Sequence, residues 1–283
     1  MTATGIPENV AKDIPDCVAR ALQEDIGCGD ISALLIDVSK PATGKVICRE
    51  KAVICGRPWV DEVFKQLDPT ISVDWHIDEG DWVTADQAIF SISGNARSLL
   101  SGERCALNFL QTLSGTATTA RQYANLATDR QIKILDTRKT IPGLRLAQKY
   151  AVTVGGCANH RIGLYDAFLI KENHIVACGG IAQAVARAKE IAPTKKVEIE
   201  VETLSELQQA VDAGAHIVML DNFSPEQLQA IKQLDLHNTK IEVSGNINRD
   251  SIGHYLDTSI DFISSGSLTK HIRAIDLSMR LAV

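Results

Sequence analysis

Leu135-Asp136-Thr137-Arg138-Lys139-Thr140-Ile141-Pro142-Gly143-Leu144-Arg145 closes an apolar run that begins at Ile132. The run reads as a buried strand, and Arg138 and Lys139 stand where it ends. Thr140 is a helix-capping residue. Pro142 is tolerated in a first helical turn, where an amide has no partner to lose. The two cations therefore sit at a strand-to-helix corner, where α/β proteins usually put ligands. A solvated basic turn is the commoner meaning of an isolated Arg-Lys pair. The polar and charged strand ends downstream weigh against it here.

From this stretch onward, apolar runs at 132–135, 167–170, 197–201, 217–220, 241–243 and 262–263 alternate with amphipathic segments. Those segments cover 144–154, 181–191, 204–213, 225–234 and 252–256. Thr203 with Glu206 reads as a capping box, and Ser224 with Pro225 and Gln227 as a second helix start. Strict βα alternation predicts a parallel sheet with right-handed crossovers. The pattern alone leaves a reduced barrel and an open doubly wound sheet both standing.

Parallel strands bring their C-terminal ends to one rim. In chain order those ends carry Asp136, Arg138 and Lys139, then Lys171, then Glu200 and Glu202, then Asp221. Ser244-Gly245-Asn246 and Ser265-Gly266-Ser267 end the last two strands. Turns of this kind offer free amides to phosphate. In Val197-Glu198-Ile199-Glu200-Val201-Glu202 the acids alternate with Val and Ile, as on an edge strand with one wet face. In a barrel the same pattern turns the acids inward, where they need a cationic or metal partner. His160-Arg161 would be surface residues if they stood alone. Beside Arg138, Lys139 and Lys171 they complete a cationic cluster, which implies a small, multiply anionic ligand.

Upstream, 18–24 has helical spacing and 59–67 reads as a helix between short strands at 46–48, 52–56, 71–75 and 88–92. Gly80–Gln87 has the turn-and-strand look of a swinging-arm carrier. A carrier needs a lysine at a hairpin tip, and none occurs between Lys65 and Lys133. Leu99, Leu100, Ala106, Leu107, Leu110 and Leu113 form a helical stripe that carries Arg104, by spacing alone a solvated residue. Gly102, Ser114 and Gly115 read as breaks, so the domain boundary falls near Gly115. This gives a first domain over 1–115 and a second over 116–269, with the tail 270–283 expected to pack back on the first.

A net charge of -6 argues against general affinity for nucleic acid or anionic membranes. Seven scattered cysteines with no Cys-x-x-Cys pair argue for reduced thiols, a cytoplasmic location and no structural zinc. Residues 1–16 are polar with Pro7 and Pro15, unlike a signal peptide.

Long ordered motifs now carry a resemblance. They are Gly102-Glu103-Arg104 with Leu107-Asn108, Asp136–Arg145, Asn159-His160-Arg161 and Leu169-Ile170-Lys171-Glu172-Asn173-His174. Glu198–Glu202, Met219-Leu220-Asp221-Asn222 and Glu242-Val243-Ser244-Gly245-Asn246 continue the series. Over nearly its whole length the chain resembles the quinolinate phosphoribosyltransferases. One departure is Ser264-Ser265-Gly266-Ser267-Leu268, where members often have Ser-Val-Gly-Ala-Leu; the glycine is kept. The resemblance implies an N-terminal α/β sandwich and a C-terminal incomplete, six- to seven-stranded parallel α/β barrel. It implies a homodimer at least, in which Arg104 reaches the partner's site. Arg138, His160, Arg161 and Lys171 would then hold quinolinate. Lys139 and Lys171 would meet phosphoribosyl pyrophosphate, and Glu200 and Asp221 would hold Mg²⁺ and the ribose hydroxyls. Ser244, Gly245, Asn246, Ser265 and Gly266 would bind the 5′-phosphate. A related transferase for another small pyridine or aromatic anion is the competing reading.

Overall fold

The computed structural model describes residues 5–128, 130–256 and 258–282. The chain forms two compact units. The first takes Met1–Gln122, Thr140–Gly156 and Ile272–Val283, and the second Tyr123–Lys139 and Cys157–His271.

In the first unit, helix α1 (Glu8–Ile26) buries Val10, Ile14, Cys17, Val18 and Leu22, a helical stripe. It starts well before the helix expected at 18–24, because exposed Pro15 is accommodated inside it. A buried stripe outweighs the loss of one backbone bond on the solvent side. Strand β1 (Pro41–Cys48) alternates exposed and buried residues, the mark of a sheet with one covered face. After β2 (Ala52–Val53), helix α2 (Arg57–Leu67) buries Trp59, Val60, Val63 and Phe64. Its first amides are capped from outside, by Glu79 accepting from Gly56 N at 2.8 Å and Arg57 N at 3.1 Å. Strands β3 (Ser72–Trp75), β4 (Trp82–Val83) and β5 (Ala88–Asn95) follow. The final strand of the chain, Leu277–Ala282, pairs antiparallel with β1, giving a four-stranded sheet in the order final strand, β1, β5, β3.

Helix α3 (Ala96–Leu126) runs unbroken through Gly102, Ser114 and Gly115. Those residues are not breaks. A β-carbon on Gly115 would stand 2.2 Å from the Arg273 carbonyl oxygen, so the glycine lets the C-terminal segment lie directly on the helix. After β6 (Lys133–Leu135), helix α4 (Arg145–Val154) also differs from expectation. Its spacing suggested a layer of the second domain, yet it belongs to the first unit. There Tyr150 packs on Trp59 with ring centroids 5.7 Å apart.

The second unit contains β6, β7 (Phe168–Ile170), α5 (Glu172–Cys178), α6 (Ile181–Ile191), β8 (Val197–Val201) and α7 (Leu204–Asp212). It continues with β9 (Ile217–Asp221), α8 (Pro225–Ile231), β10 (Lys240–Ser244), β11 (Phe262–Ser264) and α9 (Ser267–Lys270). Its six strands run in the order β6-β11-β10-β9-β8-β7, and every pair is parallel. From β7 onward each strand neighbours its successor, and the last, β11, pairs with the first, β6, which is the strand order of a barrel rather than of an open doubly wound sheet. One seam stays open, between β6 and β7, where a single bridge joins Leu135 to Ala158. Thr203 and Ser224 cap α7 and α8, each accepting from the third residue on. Val197, Ile199 and Val201 are fully buried, while Glu198 and Glu242 meet one imidazole inside the barrel.

Candidate active site

The open seam and the strand ends position the charged groups. At the end of β6, Asp136 is fully buried. It accepts from the His160 amide at 2.8 Å and from Asn159 Nδ2 at 2.7 Å, so the 159–161 turn is tied to the first strand end. Arg161 Nη1 donates to the Ala167 carbonyl at 3.1 Å. Partial burial lowers the pKa of this guanidinium, and the neighbouring Arg138 lowers it further. Two half-buried cations thus stand near enough to act on each other, with Glu198 and Asp166 acting the opposite way on Arg161. Arg138 makes no ion pair among the described residues, an arrangement that repels until an anion enters.

Lys139 belongs to the same strand end but points to another part of the rim. Its Cδ would lie 3.0 Å from a β-carbon on Gly266. Its carbonyl accepts from Thr269 Oγ1 at 2.8 Å. A cation is therefore laid across the Ser265-Gly266 turn. Within that turn the Ser265 hydroxyl is turned inward and donates to the Ile247 carbonyl at 2.6 Å, while its amide donates to Leu135 at 3.0 Å. The other glycine turn is strained: Gly245 has φ +105° and Asn246 φ +45°. The Asn222 amide donates to the Ser244 carbonyl at 3.0 Å, and its side chain covers Gly245.

Lys171, the first residue beyond β7, pairs through its Nζ with Glu200 Oε2 on β8. Asp221 ends β9 and accepts from Asn222 Nδ2 at 3.0 Å. Both acids are half-buried at the ends of adjacent strands. Two such carboxylates, with water and ligand oxygens free to complete the shell, are the donor set Mg²⁺ takes when it binds phosphates. Deeper lies a second set: His160, Glu198 and Glu242 have ligand-type atoms within 4.8 Å of one another. It has a nitrogen donor and is closed to water, a poor match to a hard cation that keeps its waters.

Lys139, Lys171, Glu200, Asp221, Arg138, Arg161, His160 and both glycine turns are all in the second unit, whereas Arg104 is exposed on α3 of the first. Asp136, which the sequence placed only among the rim charges, and Glu198, which it turned inward toward a cationic or metal partner, also shape the site, together with Asn159, Asn222 and Glu242, to which it gave no role. For Glu242 the signal was present: a lone acid between Ile241 and Val243 repeats the pattern of Glu198.

A parallel barrel with paired guanidinium groups, a lysine over a glycine turn and acids on neighbouring strand ends defines an α/β-barrel enzyme that handles a multiply anionic substrate. Residues 30–114 match the N-terminal domain model of quinolinate phosphoribosyl transferase, and residues 116–280 its C-terminal domain model. The chain is 40% identical over 257 residues to a probable carboxylating nicotinate-nucleotide pyrophosphorylase of Bacillus subtilis, covering 90% of this chain and 89% of that one. It is 39% identical to the Rattus norvegicus carboxylating nicotinate-nucleotide pyrophosphorylase, covering 92% and 88%. The solved nicotinate-nucleotide pyrophosphorylase of Francisella tularensis superposes with a TM-score of 0.93 at 48% identity, covering 99% and 98%. The chain belongs to the quinolinate phosphoribosyltransferase family.

Proposed function

We propose that this chain transfers phosphoribosyl from phosphoribosyl pyrophosphate to quinolinate and releases CO₂, giving nicotinate mononucleotide and pyrophosphate for de novo NAD biosynthesis. The observation that carries this reading is the presence of Arg138 and Arg161 together on one rim, the first near enough to lower the pKa of the second although Glu198 and Asp166 act the other way. Guanidinium forks suit the two adjacent carboxylates of quinolinate. A pyridine monocarboxylate would leave one fork unused.

Lys139 over the Ser265-Gly266 turn, with Ser244-Gly245-Asn246 opposite, receives the 5′-phosphate end of the second substrate. Lys171 stands between the two substrates, and its pairing with Glu200 keeps its charge in place. Glu200 and Asp221 would hold Mg²⁺ and the ribose hydroxyls. When bound, the metal supplies positive charge against the leaving pyrophosphate. Lys139 and Lys171 add fixed charge where negative charge builds up. Once the ring nitrogen is bonded to ribose it is cationic, so it stabilises the electron pair left on C2 when the C2–carboxylate bond breaks and CO₂ departs, and a proton from water then forms the C2–H bond. The protein then needs only to hold the ring, the task of Arg138 and Arg161.

Arg104 completes the quinolinate site of a partner subunit in a homodimer. No helix among the described residues is long and apolar enough to cross a membrane. The scattered thiols support a cytoplasmic location. The experiment is CO₂ release from carboxyl-labelled quinolinate, with and without phosphoribosyl pyrophosphate and with excess chelator. Release should need both substrates and stop in chelator. Release without the second substrate would sink the transfer reaction, and full turnover in chelator would sink the metal assignment.

A further inference from the structure

His160 is held through its amide and through both ring nitrogens. Its amide donates to Asp136 Oδ1 at 2.8 Å. Its Nδ1 accepts from the Arg161 amide at 2.7 Å. Its Nε2 lies 3.0 Å from Glu198 Oε2 and 3.6 Å from Glu242 Oε1. An amide donates only to a ring nitrogen without a proton, so Nδ1 is bare and Nε2–H donates to Glu198. Both ring nitrogens thus have partners within the chain. Its neighbour Arg161 stands beside Arg138 and is tied to the Ala167 carbonyl.

We propose that Asp136 and Glu198 are positioning residues: they clamp His160 as a strut, and the strut fixes the Arg161 amide and so the spacing of Arg161 from Arg138. The proposal rests on reading that pair as the carboxylate site. Two guanidinium groups that repel each other relax apart unless the backbone of one is held. Asp136 holds the turn from the β6 side and Glu198 from the β8 side. Glu242 forms the back of the socket. It is fully buried, and neither of its carboxylate oxygens has a hydrogen-bond partner among the described residues. Burial, then Glu198, pushes its carboxyl up to about 8, so it keeps a proton at neutral pH and leaves the Nε2–H to Glu198. A metal ion in this trio would need the Nε2 lone pair and move the ring proton to Nδ1, where the Arg161 amide already points.

The first test needs no substrate. The full chain with ¹⁵N-labelled histidine is examined by NMR, and the His160 signals are identified by their loss in His160→Asn. One ring nitrogen should be protonated and the other bare, unchanged when quinolinate is added. A doubly protonated ring in the quinolinate complex would overturn the strut, because an imidazolium would then be meeting the substrate. Stoichiometric Zn²⁺ binding that moves the proton to Nδ1 would overturn it as well.

The second test is kinetic. Glu198→Ala should raise the quinolinate KM about tenfold, the size of one lost charged hydrogen bond, with the phosphoribosyl pyrophosphate KM unchanged. Glu198→Gln, whose amide oxygen still accepts, should recover most of the loss. His160→Asn, whose Oδ1 can still take the Arg161 amide, should outperform His160→Ala. Equal losses for both substrates, or no rescue by Gln, would overturn the proposal. Should Glu198→Ala fail to fold, His160→Asn and the spectra decide. If the wild-type chain does not turn over quinolinate, the proposed function fails, while the ligand-free spectrum still tests the clamp.

Discussion

The stem of Lys139 crosses Gly266 so closely that a β-carbon there would stand 3.0 Å from its Cδ. The first strand end of the barrel is thus laid on the turn after the last strand, which is possible because β6 and β11 are neighbours. Gly266 has φ −67°, so alanine fits the backbone, and only the flexible lysine must move. Gly266→Ala should fold with stability within about 0.5 kcal/mol of wild type. Its KM for phosphoribosyl pyrophosphate should rise several-fold while that for quinolinate stays put. An unchanged KM would show that Lys139 does not serve the phosphate end.

Gly245 is the opposite case. Its φ is +105°, and a β-carbon would lie 2.2 Å from Asn222 Oδ1. Strain and clash act together, so Gly245→Ala should cost about 2 kcal/mol or more. A urea denaturation midpoint equal to that of wild type would mean that Asn222 can swing away freely.

The raised carboxyl of Glu242 sets a pH dependence. Its pKa is pushed up to about 8 in the folded chain, burial first and Glu198 second, against about 4.3 in an unfolded one. Between those values the unfolded chain has lost a proton that the folded chain keeps. Stability contributed here is therefore full at low pH and falls as pH rises from about 4.5 to about 8, by at most about 1.4 kcal/mol per unit. Glu242→Gln should flatten this part of the profile. Urea midpoints across that range check it, and equal slopes in both proteins would refute the assignment to Glu242.

The role proposed for Arg104 can be read by mixing two inactive proteins, Arg104→Ala and Lys171→Ala. In a shared-site dimer, a mixed pair has one site with neither lesion. Random exchange should then restore about a quarter of wild-type sites. If Arg104 serves its own chain, every site keeps a lesion. No recovery, with exchange shown by mass, would rule out sharing.

Much of the barrel was legible in the sequence because its signals are local. A buried parallel strand must be a short apolar run, and its C-terminal end is where polar groups can surface. The runs at 132–135, 167–170, 197–201, 217–220, 241–243 and 262–263 therefore lie within two residues of β6 to β11 at both ends. One-rim geometry brought Arg138, Arg161, Lys171 and Glu200 to the same end of the barrel, but not the ion pair of Lys171 with Glu200. By contrast, Gly115 and α4 were misread. A glycine looks the same whether it ends a helix or admits a neighbouring backbone, and an amphipathic helix does not say which surface it covers.

By itself, then, the sequence determined the strands, their direction and the inventory of charges at their ends, since these follow from burial of short apolar runs. Only the tertiary structure decided that the sheet closes from β11 back to β6, that α4 belongs to the first unit, and that His160 turns both ring nitrogens to the chain. Each of those rests on contacts between residues far apart in sequence. Their energy depends on which surfaces meet, and no local pattern records that.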